Sequence, residues 1–195
     1  MRLFVALDID ENIRERIVRF LEGVRGFSPE ARWVRSESLH VTLKFIGEAA
    51  ADQVGRIQQR LATIAADGFE VNFRGYGFFP GVRAARVFWV GIEAGEKLTA
   101  LAATVDSTLA QLDIAKEEHK FNPHLTVARA AGRSGSPRRQ AGDGNHRSFQ
   151  QLQDKLAVLA PPEFGSMTAR QFFLYESKLS PGGPHYAKLA EFDLR

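Results

Sequence analysis

The sequence predicts an α+β fold made mostly of antiparallel sheet, and three observations lead there. Apolar residues recur at helical spacing in four separate windows. Between them lie strand-length runs, some alternating apolar and polar with a period of two. Several of those runs follow one another with only turn residues between them, which a parallel sheet with helical crossovers would not permit.

Residues 2–7 (RLFVAL) form the first apolar run of strand length. A helix follows, with Ile13, Ile17, Leu21 and Val24 on one face, Asp10 as N-cap, and Gly26 and Pro29 to end it. Residues 33–47 read as two extended pieces around Ser36–Ser38. In the second piece, LHVTLKFIG, residues Leu39, Val41, Leu43 and Phe45 share one parity, and His40, Thr42, Lys44 and Ile46 the other. A second helix fits residues 51–66 through Val54, Ile57, Leu61 and Ile64. Residues 69–73 and 86–92 read as strands, and GYGFFPG between them as a turn. A third helix spans about residues 96–112 through Leu98, Leu101, Val105, Leu109 and Leu112. FNPHLTVAR is extended, because Pro123 drives Asn122 out of helical geometry. A short helix over residues 148–159, the strand FFLYES and a last strand over residues 186–192 complete the chain.

Composition narrows the functions available. With 195 residues and 44% apolar content the chain is long enough to bury a core, and one domain over residues 1–195 is the expectation. No cysteine is present, which excludes a disulfide scaffold, a thiol nucleophile and cysteine-based metal sites. The N-terminus turns acidic by residue 8 and no window holds about 18 consecutive apolar residues, so neither a signal peptide nor a membrane span is expected. A cytoplasmic monomer is the expectation. The formal charge of +3 lies entirely in residues 131–147, where Arg133, Arg138, Arg139 and Arg147 face only Asp143. That Gly/Ser-rich segment reads as a flexible loop, and the rest of the chain is balanced, unlike a protein that coats itself with nucleic acid.

Internal repetition points to the chemistry. His40-Val41-Thr42-Leu43 and His124-Leu125-Thr126-Val127 are both H-x-T-x with apolar x, set in strand-like runs 84 positions apart. In a strand, His and Thr two apart share a face while the apolar residues turn to the core. Two such strands brought together offer two imidazoles and two hydroxyls to one small group. A phosphodiester suits that set: one imidazole as base, one as acid, and hydroxyl donors for the non-bridging oxygens. No Asp or Glu stands at ligand spacing from either histidine, so neither a metal nor any other cofactor is expected. Regular parity turns Arg129 away from His124, so it reaches the site only through a twist, a bulge or the strand end.

The pair LHVTLKFIG and NPHLTVAR resembles the two-histidine phosphoesterase superfamily. Within it the chain looks like the RNA 2',3'-cyclic phosphodiesterases, historically called 2'-5' RNA ligases. RLFVALDI, GFFPGVRAARVFWVGI and FFLYESKLSPGGPHY resemble that family's flanking blocks, so the likeness runs nearly end to end. The resemblance implies two pseudo-symmetric α+β lobes, helices outside, with a groove between them. It implies metal-independent hydrolysis of an RNA-terminal 2',3'-cyclic phosphate, or of cyclic nucleotides, to a 2'-phosphate. His40 would protonate the departing O3' and His124 would activate water. Thr42, Thr126 and Arg129 would hold the phosphate, and Phe45 would stack on the terminal base, although its parity is opposite to that of His40. The same histidines could instead join RNA ends through a 2'-5' linkage, or a fold of this kind could bind RNA ends without catalysis.

Other residues carry weaker expectations. Lys44 shares parity with His40 and Thr42, so it either adds charge near the phosphate or sits solvated at the strand end. His185 is a surface or rim residue. Tyr76, Phe78 and Phe79 either border the substrate or pack between lobes, and Trp33 and Trp89 read as core. The four arginines of residues 131–147 would form an arm on the RNA backbone or a solvated loop.

Overall fold

Every residue of Arg2–Leu7 after the first is buried, so this strand has apolar neighbours on both faces and can only be interior. The computed structural model, which describes residues 1–131, 148–180 and 183–195, places it so. The elements run β1 (Arg2–Leu7), α1 (Glu11–Val24), β2 (Arg32–Trp33), β3 (Val41–Glu48), α2 (Ala51–Leu61), β4 (Phe69–Phe79) and β5 (Val87–Glu93). They continue with α3 (Gly95–Ala110), β6 (His124–Arg129), α4 (Gln150–Ala157), β7 (Glu163–Ala169), β8 (Gln171–Ser180) and β9 (Gly183–Asp193). The strands make two sheets, ordered β3-β1-β8-β9 and β2-β6-β5-β4-β7, and the pairings are antiparallel throughout.

A β-α-β unit occurs twice. β1-α1-β3 builds the first sheet and β5-α3-β6 the second, each bringing its H-x-T-x strand beside the strand that opened the unit. The helices cross between sheets: α1 packs on β7 of the second sheet and α3 on β3 of the first. One core results, with Ile13, Ile17 and Leu21 of α1 and Leu98, Leu101, Val105 and Leu109 of α3 all buried in it. β2, in the connection that leads to His40, pairs with β6, and Val34 N donates to Val127 O. The approach to the first motif is thereby strapped to the strand of the second.

The expected helices are present but shorter at their C-termini, since α2 ends at Leu61 and α3 at Ala110. Two differences concern strands. GYGFF belongs to β4, which runs unbroken to Phe79. Gly75, at φ +68°, absorbs a register shift against β5, and Gly77 lies under the Trp89 ring, where a Cβ would sit 2.1 Å from it. The glycines serve strand geometry there and do not end the strand. β7 (EFGSMTA) escapes the sequence pattern because its exposed edge carries Gly, Ser and Thr, with buried Phe164 and Met167 as the only large apolar residues. No described helix is long and apolar enough to cross a membrane. The basic segment with Arg133, Arg138, Arg139 and Arg147 lies outside the described residues.

Candidate active site

The spacing H-x-T-x-x-[F/R] sets its first and last members five positions apart, an odd separation, and a regular strand would send them to opposite faces. The register of both motif strands removes the conflict. In β3, Thr42 pairs with Ala6 and Lys44 with Val5, leaving Leu43 as an extra, bulged residue, and Phe45 pairs with Phe4. Ala6 and Phe4 share one face of β1, so Thr42 and Phe45 share it too. In β6, Thr126 pairs with Trp89 and Ala128 with Phe88, leaving Val127 as the extra residue, and Arg129 pairs with Val87. Trp89 and Val87 share a face, and so do Thr126 and Arg129. One bulge after each Thr therefore gathers His, Thr and the terminal residue of the motif on one side. Phe45 is 59% exposed there, with its ring 6.2 Å from that of Phe4.

The same bulge moves Lys44 the other way. Its parity in a regular strand would match His40, but it is 2% exposed on the core side. Its ammonium donates to Asp106 Oδ1 at 2.6 Å and to Ala115 O at 2.8 Å, which fastens α3 and the chain after it to β3. Lys44 is a structural cation and stands apart from the groove.

Each imidazole is held alike. His40 Nδ1 lies 2.7 Å from Ser38 O, and His124 Nδ1 lies 2.7 Å from Asn122 O, a carbonyl two residues upstream in both cases. Because a carbonyl only accepts, Nδ1 carries the proton, and Nε2 is left for proton transfer. Aromatic rings wall both. His40 packs on Phe4 at 4.8 Å and edge-on to Tyr186 at 5.1 Å; His124 meets Phe79 edge-on at 4.9 Å and has Trp89 at 6.5 Å. Phe4, Ala6, Phe173 and Tyr175, with Tyr186, form an apolar cluster of their own on the groove face of the first sheet.

Burial sets the protonation. It pushes His40 down to about 4, only partly opposed by the bond to Ser38 O and by the Asp8 carboxylate, while Arg129 and Arg14 push further. His124 is also lowered, by burial first and then by Arg129, against its bond to Asn122 O. Arg129 thus bears electrostatically on both imidazoles although they belong to different sheets. At neutral pH the resting site holds two neutral imidazoles, with the Arg129 and Arg14 guanidinium groups disfavouring protonation of His40.

Of the residues expected at the site, His40, Thr42 and Phe45 come together on the first sheet and His124, Thr126 and Arg129 on the second. Thr42 and Thr126 are half-buried beside their histidines. Phe79 borders His124, whereas Phe78 is buried on the other face against Phe88 and Phe149. Trp33 is the core residue expected, its Nε1 donating to Ser28 O at 3.1 Å. Trp89 is not: it lies half-buried beside His124, and its Nε1 is buried with no hydrogen-bond partner among the described residues. His185 is exposed, opposite Lys178. Sequence reasoning missed Phe4, Tyr175, Tyr186, Asp8 and Arg14. Phe4 and Ala6 share a parity in β1 that aims them at His40, but only the pairing of β1 with β3 shows it. No three His, Asp or Glu side chains among the described residues converge to hold a metal ion.

Two half-sites of one design, each from half of the chain, agree with what comparison finds. The family described as LigT like phosphoesterase matches residues 7–89 and again residues 90–186. An RNA 2',3'-cyclic phosphodiesterase of Archaeoglobus fulgidus is 34% identical over 99% of this chain and 100% of its own length. Another, of Methanothermobacter thermautotrophicus, is 31% identical over 100% and 99%. Among solved structures, E. coli LigT complexed with 3'-AMP superposes with a TM-score of 0.77 at 28% identity, covering 99% of this chain and 97% of that one. A Thermus thermophilus protein gives 0.76 at 29%, covering 100% and 98%. With its fold, its repeated half-site and these full-length relatives in agreement, this chain belongs to the LigT-like family of two-histidine phosphoesterases.

Proposed function

We propose that the chain hydrolyses RNA-terminal 2',3'-cyclic phosphates to 2'-phosphates, with His124 as base and His40 as acid. One observation carries the assignment: two imidazoles on two sheets, each tied through Nδ1 to the carbonyl two residues before it, with Arg129 bearing on both. Neutral His124, protonated on Nδ1, takes a proton from water on Nε2 as the water oxygen attacks phosphorus. The P–O3' bond breaks and O3' takes a proton from His40, leaving a 2'-phosphomonoester and a 3'-hydroxyl. The Thr42 and Thr126 hydroxyls and the Arg129 guanidinium hold the non-bridging oxygens, where charge grows. Phe45, exposed on the groove face, stacks on the terminal base.

Burial leaves His40 neutral in the resting protein, so the acid must be made on binding. The substrate's phosphate anion supplies the missing counter-charge. The full-length relatives bear the name of this activity, and E. coli LigT has been solved with 3'-AMP and with phosphate, which supports a site for nucleotide phosphate. A cysteine-free chain working as a single-domain monomer in the cytoplasm fits the same reading. His40→Ala and His124→Ala tested on RNA with a cyclic phosphate end, with folding followed by circular dichroism, check the assignment. Each variant is expected to fold and to lose turnover; activity surviving in either refutes the acid–base pair.

A further inference from the structure

A cavity of about 470 Å³ opens beside His40, on the side formed by the first sheet and its approach loop. That volume falls within the range of small-molecule clefts, roughly 300–1,000 Å³, and accommodates one nucleoside. Its aromatic wall is Tyr175, 7% exposed, with the half-buried Tyr186. Its polar groups differ from those that face the scissile phosphate. Lys188 stands at its edge, its ammonium 2.6 Å from Asp8 Oδ2 and 4.0 Å from the Phe173 ring. Glu37 lies at the rim, 58% exposed, and is held ionised mainly by a backbone hydrogen bond. Burial keeps the phenols of Tyr175 and Tyr186 protonated, so they serve as neutral stacking faces and donors.

The stereochemistry of ribose says what reaches this cavity. In the reaction above, O3' departs toward His40. C4', which carries C5' and the 5' phosphodiester, is bonded to C3', whereas the base is borne on C1' beside C2'. The chain 5' to the reacting end therefore leaves past His40 toward the cavity, which is lined by residues of the 36–40 stretch ahead of β3, and the terminal base lies over Phe45, five residues further along the same strand. We propose that the cavity beside His40 is a subsite for the penultimate nucleotide, its base against Tyr186 and Tyr175, its linking phosphate near Lys188, and an exocyclic amine donating to Glu37. This deepens the hydrolase reading and rests on it: the preferred substrate is an oligonucleotide end, with an amine-bearing base (A, C or G) favoured over uracil next to the terminal nucleotide. Beyond Lys188 and Asp8 a second cavity of about 580 Å³ continues the same path.

The test compares kcat/KM on uridine 2',3'-cyclic phosphate, on ApU and on UpU ending in 2',3'-cyclic phosphate, for the wild type, Glu37→Ala and Lys188→Gln. One hydrogen bond or screened charge corresponds to about a three- to tenfold change. The wild type is expected to prefer both dinucleotides over the mononucleotide, and ApU over UpU. Glu37→Ala should erase the ApU over UpU preference, and Lys188→Gln should lower both dinucleotides at least threefold more than the mononucleotide. Equal rates on all three substrates, or equal losses in the variants, overturn the subsite while leaving the hydrolase reading intact. No turnover of any substrate would refute the hydrolase reading itself.

Discussion

Filling the site with phosphate should return a proton to His40. Burial holds this imidazole at about 4 in the resting protein, so at pH 7 only about one molecule in a thousand carries the acid form. A phosphoryl charge about 4 Å away, at an effective dielectric constant of about 20, favours the imidazolium by about 4 kcal/mol. That is about a thousandfold in the protonation equilibrium, enough to restore an acid near neutral pH. The assay is a histidine-selective NMR titration of the free protein, then with inorganic phosphate and with a nucleoside 2'-monophosphate, with His40→Gln to assign the resonance. The free His40 resonance should titrate far below an ordinary histidine and move up by at least tenfold in proton affinity with either ligand. An ordinary titration in the free protein, or no upward movement on binding, would refute the idea that substrate creates the acid.

Three more outcomes follow from the geometry. Folding lowers the His40 proton affinity, from an ordinary 6.5 to about 4, so the unfolded chain binds more protons between these values and stability rises with pH there. The contribution is complete above pH 6.5 and is lost as pH falls toward 4, about 3 kcal/mol in all; urea midpoints against pH should show this slope, and His40→Gln should flatten it. Lys44→Ala should cost about 2–3 kcal/mol, because the buried Lys44 stem leaves a cavity in the core and the partly exposed Asp106 loses its ammonium partner, read as a lower urea midpoint at constant m-value. Gly77→Ala puts a Cβ where the Trp89 ring now lies, 2.1 Å away. A lower melting temperature, from about 1–3 kcal/mol of overpacking, should come with reduced kcat as Trp89 shifts beside His124.

Much of the fold is legible because burial follows period. The buried faces of α1 and α3 are the apolar positions read from their spacing, and His40 and His124 stand out because a motif in two strand-like runs is visible without coordinates. What failed was parity. Phe45, Arg129 and Lys44 were each assigned to a face by counting, and one bulged residue, Leu43 or Val127, reverses the count beyond it. A bulge is a property of register between two strands, so neither strand's sequence displays it. Trp89 reads as core from its apolar strand context, but its face is decided by Thr126 and Gly77 across the sheet. Asp8, Arg14 and Tyr175 meet at His40 from the turn after β1, from α1 and from β8, and no local pattern joins them.

The most direct test of the central claim is the identity of the end group left on RNA. The protein is incubated, in the presence of a chelator, with an RNA ending in a 2',3'-cyclic phosphate, and the product terminus is analysed. The account predicts a 2'-phosphate with an adjacent 3'-hydroxyl, formed at a rate the chelator does not change. A 3'-phosphate would contradict the departure of O3' toward His40, and activity abolished by the chelator would contradict catalysis by the two imidazoles alone.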